Sequence, residues 1–453
     1  MSTTTAPSFQ AKLPPCSFVP PRYEGPSREQ VLKDRREFLS PGLITYYKEP
    51  LMLVDGWMQY LFDEAGRRYL DLFAGIVSVS CGHSHPKIIK RVQEQVARLC
   101  HTTTIYVHPN VAELGKKLAA KLPGDLKVAY FVNSGSEAND LAMLMARLYT
   151  GNRDVVGLRN CYHGASGITM GLTSHHTWKY AATPKDDIYH AACPDPYRSL
   201  FKGSPAEVAA QSVEDLRDLI KFSTSGKLAA FIAEPIQGVG GTTYGAPEYL
   251  PAAYKVVREH GGLCIADEVQ TGFGRTGDHY WGFQNSGVSP DIVTMAKSLG
   301  NGAPIAAVVT RPEIAETMRQ KLHVNTFGGN PVSTAAGLAV LETIEEDRLQ
   351  ENAKVVGAYF KAGMMKLMEK HTIIGDVRGM GLMLGMELVR DRKTKEPARE
   401  ELAKFHEMLR ENGVLVGKGG LYGNVLRIKP PLCITKADVD YAIAAMDYCL
   451  SHL

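Results

Sequence analysis

The sequence predicts an α/β fold: a large domain with a mostly parallel sheet, followed by a smaller α+β domain. Three observations carry this reading. Between His85 and about Thr310, short apolar runs alternate with longer amphipathic stretches, the spacing of strand–loop–helix–strand units. After Pro331 the pattern changes to helix, strand, helix, strand, helix. The 453 residues, 44% hydrophobic and 22% charged, suffice for more than one core and exclude a mainly disordered chain.

Taken in order, residues 1–40 read as an N-terminal arm, Pro-rich and then helical over SREQVLKDRREFL. Residues 41–84 read as an N-terminal part of the small domain, where YLFDEAGRRYLDLFAGI forms two short strands around a turn at Glu64–Gly66. Residues 85–335 form the large domain. There HPKIIKRVQEQVARL and NVAELGKKLAAKL carry a helical stripe, and VAYFV, DVVGL, AAFIAE, GLCIADE, DIVTMA and IAAVVT are strands. Pro331, at a first helical position, opens one long helical tract that leads into the C-terminal domain, 336–453. Strand-like VRGMGLMLGMELV, the helix REELAKFHEMLRENG and strand-like VLRIKP follow. A last helix starts behind the capping box Thr435–Asp438.

Composition narrows the partners. A net charge of +3 argues against a nucleic-acid or membrane surface, and no apolar run approaches the roughly 18 residues of a membrane span. The eight cysteines are scattered, without C-x-x-C or metal-ligand spacing, so buried thiols in a reducing compartment are expected and no metal. The opening MSTTTAPSFQAKLPP has no acid before Glu24 and only Lys12 and Arg22 as bases; it reads as a weak transit peptide or as a frayed terminus.

One motif invites a dinucleotide reading. LCIADEVQTGFGRTG holds G-x-G-x-x-G at Gly272, Gly274 and Gly277 behind an apolar strand. A Rossmann loop must open a helix whose N-terminus holds the pyrophosphate, and DHYWGFQNSGVSP has no helical stripe. A flexible loop closing over a pocket is the expectation, and a non-enzymatic dinucleotide-binding protein stays as a remote alternative.

Three other features carry chemistry together. VAYFVNSGSEANDLAMLM is strand, turn and helix, where Ser134 and Glu137 suit a capping box and Gly135 and Ser136 equally suit an anion at a helix N-terminus. Lys297, behind DIVTMA, falls at the carboxyl edge of the sheet, where lost hydration lowers an amine's pKa; alone, a snorkelling lysine is the commoner reading. Asp267 ends another strand 30 residues earlier, without Lys or Arg within seven positions, and needs a cationic partner such as a protonated ring nitrogen. Phosphate cradle, buried acid and strand-end lysine jointly point to pyridoxal 5'-phosphate.

At this point NSGSEAND, Tyr162-His163-Gly164, AEPIQG, IADEVQTGFGRTG, MAKSLGNG and NTFGGNP, in this order, resemble the class III aminotransferases of fold type I. The likeness runs from about Leu13 to the C-terminus and is greatest toward the alanine–glyoxylate members, usually mitochondrial. It implies that Lys297 bonds the cofactor aldehyde, Asp267 pairs with the ring nitrogen, Val269 packs behind the ring, Gln270 reaches its hydroxyl and Tyr162 stacks on its front. Gly135 and Ser136 would bind the phosphate, with Thr326 reaching the phosphate of a neighbouring subunit in a homodimer, dimer or tetramer left open. Arg427 would bind the substrate carboxylate. Relatives acting on ornithine or γ-aminobutyrate carry a glutamate where this chain has Val239, and the ornithine type a tyrosine where it has Ile76. The implied reaction is amino transfer from alanine to glyoxylate, with ω-amino acids such as β-alanine as alternative donors, in mitochondria or else the cytosol.

Overall fold

The computed structural model describes residues 9–184 and 187–453; the first eight residues of the arm, and with them most of the candidate targeting segment, lie outside it. Seven strands form the central sheet, in the spatial order Val128–Val132, Ala306–Thr310, Ile292–Met295, Leu263–Asp267, Ala230–Ala233, Val155–Leu158, Ile188–Ala191. Only Ala306–Thr310 runs antiparallel to its neighbours. The carboxyl ends of the other six therefore share one edge, where open α/β sheets place ligands. Five of the strands are buried along their whole length, because helices cover both faces. Side-chain alternation sorts them: Val155, Ile232 and Ile265 pack with helix Gly135–Thr150, whereas Val156, Phe231 and Cys264 pack with Pro205–Ser223 and Tyr249–Glu259.

The six strands read from the sequence are present; Ile188–Ala191, only four residues long and interrupted by His190, carries too little pattern to be read and is found by its pairing with Val155–Leu158. The tract after Pro331 is two helices, Pro331–Glu346 and Leu349–Lys370, because Arg348 takes φ +52° between them. Likewise VRGMGLMLGMELV lies in an antiparallel hairpin, Ile374–Met380 with Met383–Asp391, that turns at Gly381 (φ +52°). Val425–Ile428 pairs antiparallel with Met383–Asp391 and carries Arg427 toward the large sheet. The last helix, Lys436–Leu450, has the capping box the sequence spells. Near the N-terminus, Leu53–Trp57, Tyr60–Asp63 and Arg68–Asp71 form a meander whose outer edge pairs in parallel with Val414–Leu415. Among the described residues no helix is long and apolar enough to cross a membrane.

Candidate active site

The shared carboxyl edge brings together the loop Asn133–Ser136, the segment Cys161–His163, Glu234, Asp267 and Lys297, each just beyond or at the end of its strand. Asp267 is 2% exposed, and both its carboxylate oxygens are hydrogen-bonded. Oδ1 accepts from the Val269 N–H at 3.1 Å, while Oδ2 accepts from Asn139 Nδ2 at 2.9 Å and meets His163 Nδ1 at 2.7 Å. The sequence demanded a cation here, and His163 supplies it from outside the searched window. Burial works against a charged His163 ring, yet the adjacent Cys161 thiol and the hydrogen bond to Asp267 raise its pKa well above the ordinary value.

Lys297 opens a short 3-10 turn with φ +45°, a strained backbone for a side chain with a Cβ, and strain of this kind concentrates at functional sites. Among the described residues its amine makes no hydrogen bond or ion pair. Burial lowers its pKa to about 8, opposed by Asp267 and Glu234 and assisted by Arg427. This is the depressed amine the sequence predicts at the sheet edge, ready as a nucleophile or base near neutrality. Glu234 is buried too, accepting from the N–H groups of Tyr162 and Gly238 at 2.9 and 2.8 Å, and burial lifts its pKa to about 7.

Ser134 caps the helix Gly135–Thr150, accepting from the Glu137 N–H at 3.2 Å, but Glu137 turns to the N–H and Nδ2 of Asn133 rather than completing the box. Gly135 lies against Val269: a Cβ there would meet Val269 Cγ1 at 3.0 Å. Ser136 Oγ accepts from the Ala165 N–H at 3.1 Å. A helix N-terminus, a hydroxyl and the macrodipole thus converge beside Val269. The Tyr162 ring stands edge-on to Trp178, with centroids 5.2 Å apart. Thr326 is on the surface and makes none of the described hydrogen bonds, although Asn325 beside it accepts from Asn133 Nδ2.

Arg427 is 4% exposed yet has no carboxylate partner among the described ion pairs. Its guanidinium donates to the Lys418 and Gly238 carbonyls at 3.1 and 3.3 Å and to the Tyr46 hydroxyl at 3.4 Å, and it lies 5.4 Å over the Phe73 ring. Val239, at the departure noted in the sequence, is buried and apolar. A buried cation whose hydrogen-bond partners are all neutral is costly unless a ligand brings the anion. Phe73 leads into a left-handed turn, Ala74–Val77, with φ between +50° and +67°; Asp71 Oδ1 holds its start by accepting from the Phe73 and Ala74 N–H groups. Ile76, in this turn, is 46% exposed.

The glycine-rich segment is not the flexible loop the sequence suggests. No helix of the Rossmann kind follows Gly277, only the 3-10 turn Gly282–Ser286, and Gly272–Gly277 is buried throughout. Arg275 is fully buried, donating to the Leu382 and Pro430 carbonyls at 3.0 and 2.9 Å and to Ser80 Oγ at 3.1 Å. Glu268 ties the segment from the other side, accepting from Thr271 Oγ1 and from the Gly282 and Phe283 N–H groups. Apart from Thr271, these partners lie far along the chain or on its backbone, so a local pattern could not reveal them.

The donor set suits a cofactor with an anionic group, a basic ring nitrogen and a carbonyl carbon. The helix N-terminus would suit the first, the oriented Asp267 carboxylate the second, and the Lys297 amine, without a hydrogen-bond partner among the described residues, the third. His163 and Glu234 were missed as site residues, although the quoted Tyr162-His163-Gly164 and AEPIQG motifs contain them.

Comparison with known proteins gives the family. A family model described as Aminotransferase class-III matches residues 48–450. The chain is similar to alanine–glyoxylate aminotransferase 2 homolog 2 of Arabidopsis thaliana, 56% identical over 98% of this chain and 92% of that one. Human alanine–glyoxylate aminotransferase 2 is 46% identical over 95% and 88%. Both are named mitochondrial, in agreement with the localisation implied by the resemblance. Among solved structures, an Arthrobacter phospholyase in complex with phosphoethanolamine superposes with a TM-score of 0.88 at 32% identity, covering 93% of this chain and all of that one. An ω-transaminase from Thermomicrobium roseum gives 0.86 at 35%, covering 94% and 98%.

Proposed function

We propose, since this chain belongs to the class III aminotransferases, a family of pyridoxal-phosphate-dependent enzymes, that it transfers the amino group of alanine to glyoxylate, giving pyruvate and glycine. The unmasked Arg427 carries this reading: its fork suits a carboxylate held in two parallel hydrogen bonds, and it lies within electrostatic reach of the Lys297 amine. With Val239, not an acid, following the Gly238 carbonyl that Arg427 meets, the same arginine can receive the carboxylates of alanine, pyruvate, glyoxylate and glycine in turn.

When bound, pyridoxal phosphate supplies an aldehyde that exchanges with amines and a ring that takes up electron density from an ionising Cα–H bond. Lys297 would hold the aldehyde and, once released, take the proton from substrate Cα on Nζ. Asp267, oriented by Asn139 and His163, would keep a proton on the ring nitrogen. Gly135 and Ser136 would hold the phosphate, Val269 and Tyr162 would face the ring, and Gln270 would meet its hydroxyl oxygen. The exposed Thr326 of one subunit would complete the phosphate cradle of the other, making a homodimer the active unit.

The test is spectroscopic and chemical. Protein with pyridoxal phosphate should show a visible band that alanine removes as pyruvate appears, and Lys297→Ala should lose both; near-normal transamination by that variant would sink the assignment. β-Alanine in place of alanine ranks the ω-amino acid alternative. The lysine also sets a pH dependence. Its folded pKa lies below the unfolded value, so the group opposes folding at low pH, and that penalty fades as pH rises from about 8 toward 10.5. Reaction of the apoprotein with pyridoxal phosphate should accelerate through about pH 8 and then level off; a rise continuing to pH ~10.4, the ordinary lysine value, would contradict the depressed amine.

A further inference from the structure

We propose that Lys429 is a positioning residue: it fixes the side-chain amide of Gln270 so that a donor, not an acceptor, is presented to the ligand. The inference rests on the reading that Gln270 meets the ring oxygen of pyridoxal phosphate. Lys429 follows Arg427 by two residues, is fully buried and has no carboxylate partner among the described ion pairs. Its amine has two hydrogen-bond partners, the Gly238 carbonyl and Gln270 Oε1, both at 3.1 Å.

The direction follows from donor counting. An ammonium has only donors, and a neutral amine still has two N–H groups for these two acceptors, so the amide oxygen of Gln270 must face Lys429. Its Nε2, on the opposite branch, makes none of the described hydrogen bonds. Oxygen and nitrogen of an amide are nearly equal in size, so packing alone would hold either orientation. Packing does fix the plane: a Cβ on Gly238 would lie 2.2 Å from Gln270 Oε1, so the amide rests directly on a glycine. Lys429 then decides which end faces outward. The charged groups facing it are Arg427, Lys297, Glu234 and Arg275, and burial with the first two cations pushes its own pKa well down. A lysine kept in such surroundings costs stability, which agrees with a role beyond packing.

An outward donor favours the anionic form of the ring oxygen, which the visible band reports as a pH midpoint. Lys429→Met should raise that midpoint by about one pH unit and weaken pyridoxal phosphate binding about tenfold. In a Gln270→Ala background the same substitution should change neither, since two residues acting through one contact are not additive. Gln270→Glu offers a second route that keeps Lys429 and pairs it with a carboxylate. It places an acceptor outward, so its midpoint should also rise, without loss of thermal stability. Equal shifts from Lys429→Met in both backgrounds, or an unmoved midpoint in Gln270→Glu, would overturn the proposal. Unaltered protein that shows no band with pyridoxal phosphate would instead refute the cofactor reading beneath it.

Discussion

Two glycine-bearing turns leave the carboxyl ends of two strands that run the same way in one sheet, and they end in opposite ways. Beyond Val132, the turn holds a single glycine against Val269 and opens a 16-residue helix whose first N–H groups point outward. Beyond Asp267, three glycines lead into the interior. A Cβ on Gly272 would meet the Trp281 ring at 2.9 Å, one on Gly274 the Gln350 side chain at 2.8 Å, and one on Gly277 the Lys354 backbone at 2.7 Å. Glycine reports that something approaches the backbone closely; whether a ligand or the protein itself fills that room depends on the element that follows.

The contrast sharpens first at the acidic pair between strand and loop. Asp267→Asn should lower kcat roughly a thousandfold, about 4 kcal/mol, and also lower the thermal midpoint, since it breaks the buried pair with His163. Its neighbour Glu268→Gln should lower the thermal midpoint and leave kcat nearly unchanged, since its carboxylate serves only the loop's own donors; an equal loss of kcat there would erase the distinction. Next, Gly277→Ala meets both a positive φ and backbone, and should cost about 3 kcal/mol of stability with or without cofactor. A loss that vanished when pyridoxal phosphate was added would mean that the loop closes on ligand after all. The smallest effect belongs to the open turn: Ser136→Ala should weaken pyridoxal phosphate binding about tenfold, about 1.4 kcal/mol, and leave the apoprotein's melting unchanged.

Much of this was written locally. The apolar runs became strands because their period and length match a sheet buried on both faces. The Thr435–Asp438 box marked its helix because a cap involves only four residues, and the depressed Lys297 amine followed from an amine placed behind an apolar strand. What stayed hidden depends on long-range contact. Arg275 is anchored by carbonyls more than 100 residues away, His163 reaches Asp267 across the sheet edge, and Lys429 acquires its partners only when the last strands fold against AEPIQG. The helix break at Arg348 was hidden for another reason: arginine is a good helix former, and its positive φ answers to packing rather than propensity.

The strand Arg68–Asp71 finds its parallel neighbour, Val414–Leu415, only about 340 residues later. At a synthesis rate of about 5–20 residues per second, a nascent chain carries that unpaired edge for tens of seconds before its partner leaves the ribosome. An open edge is a template for other strands, so a strand made early is among the last to be completed, and its safe passage depends on whatever shields it meanwhile.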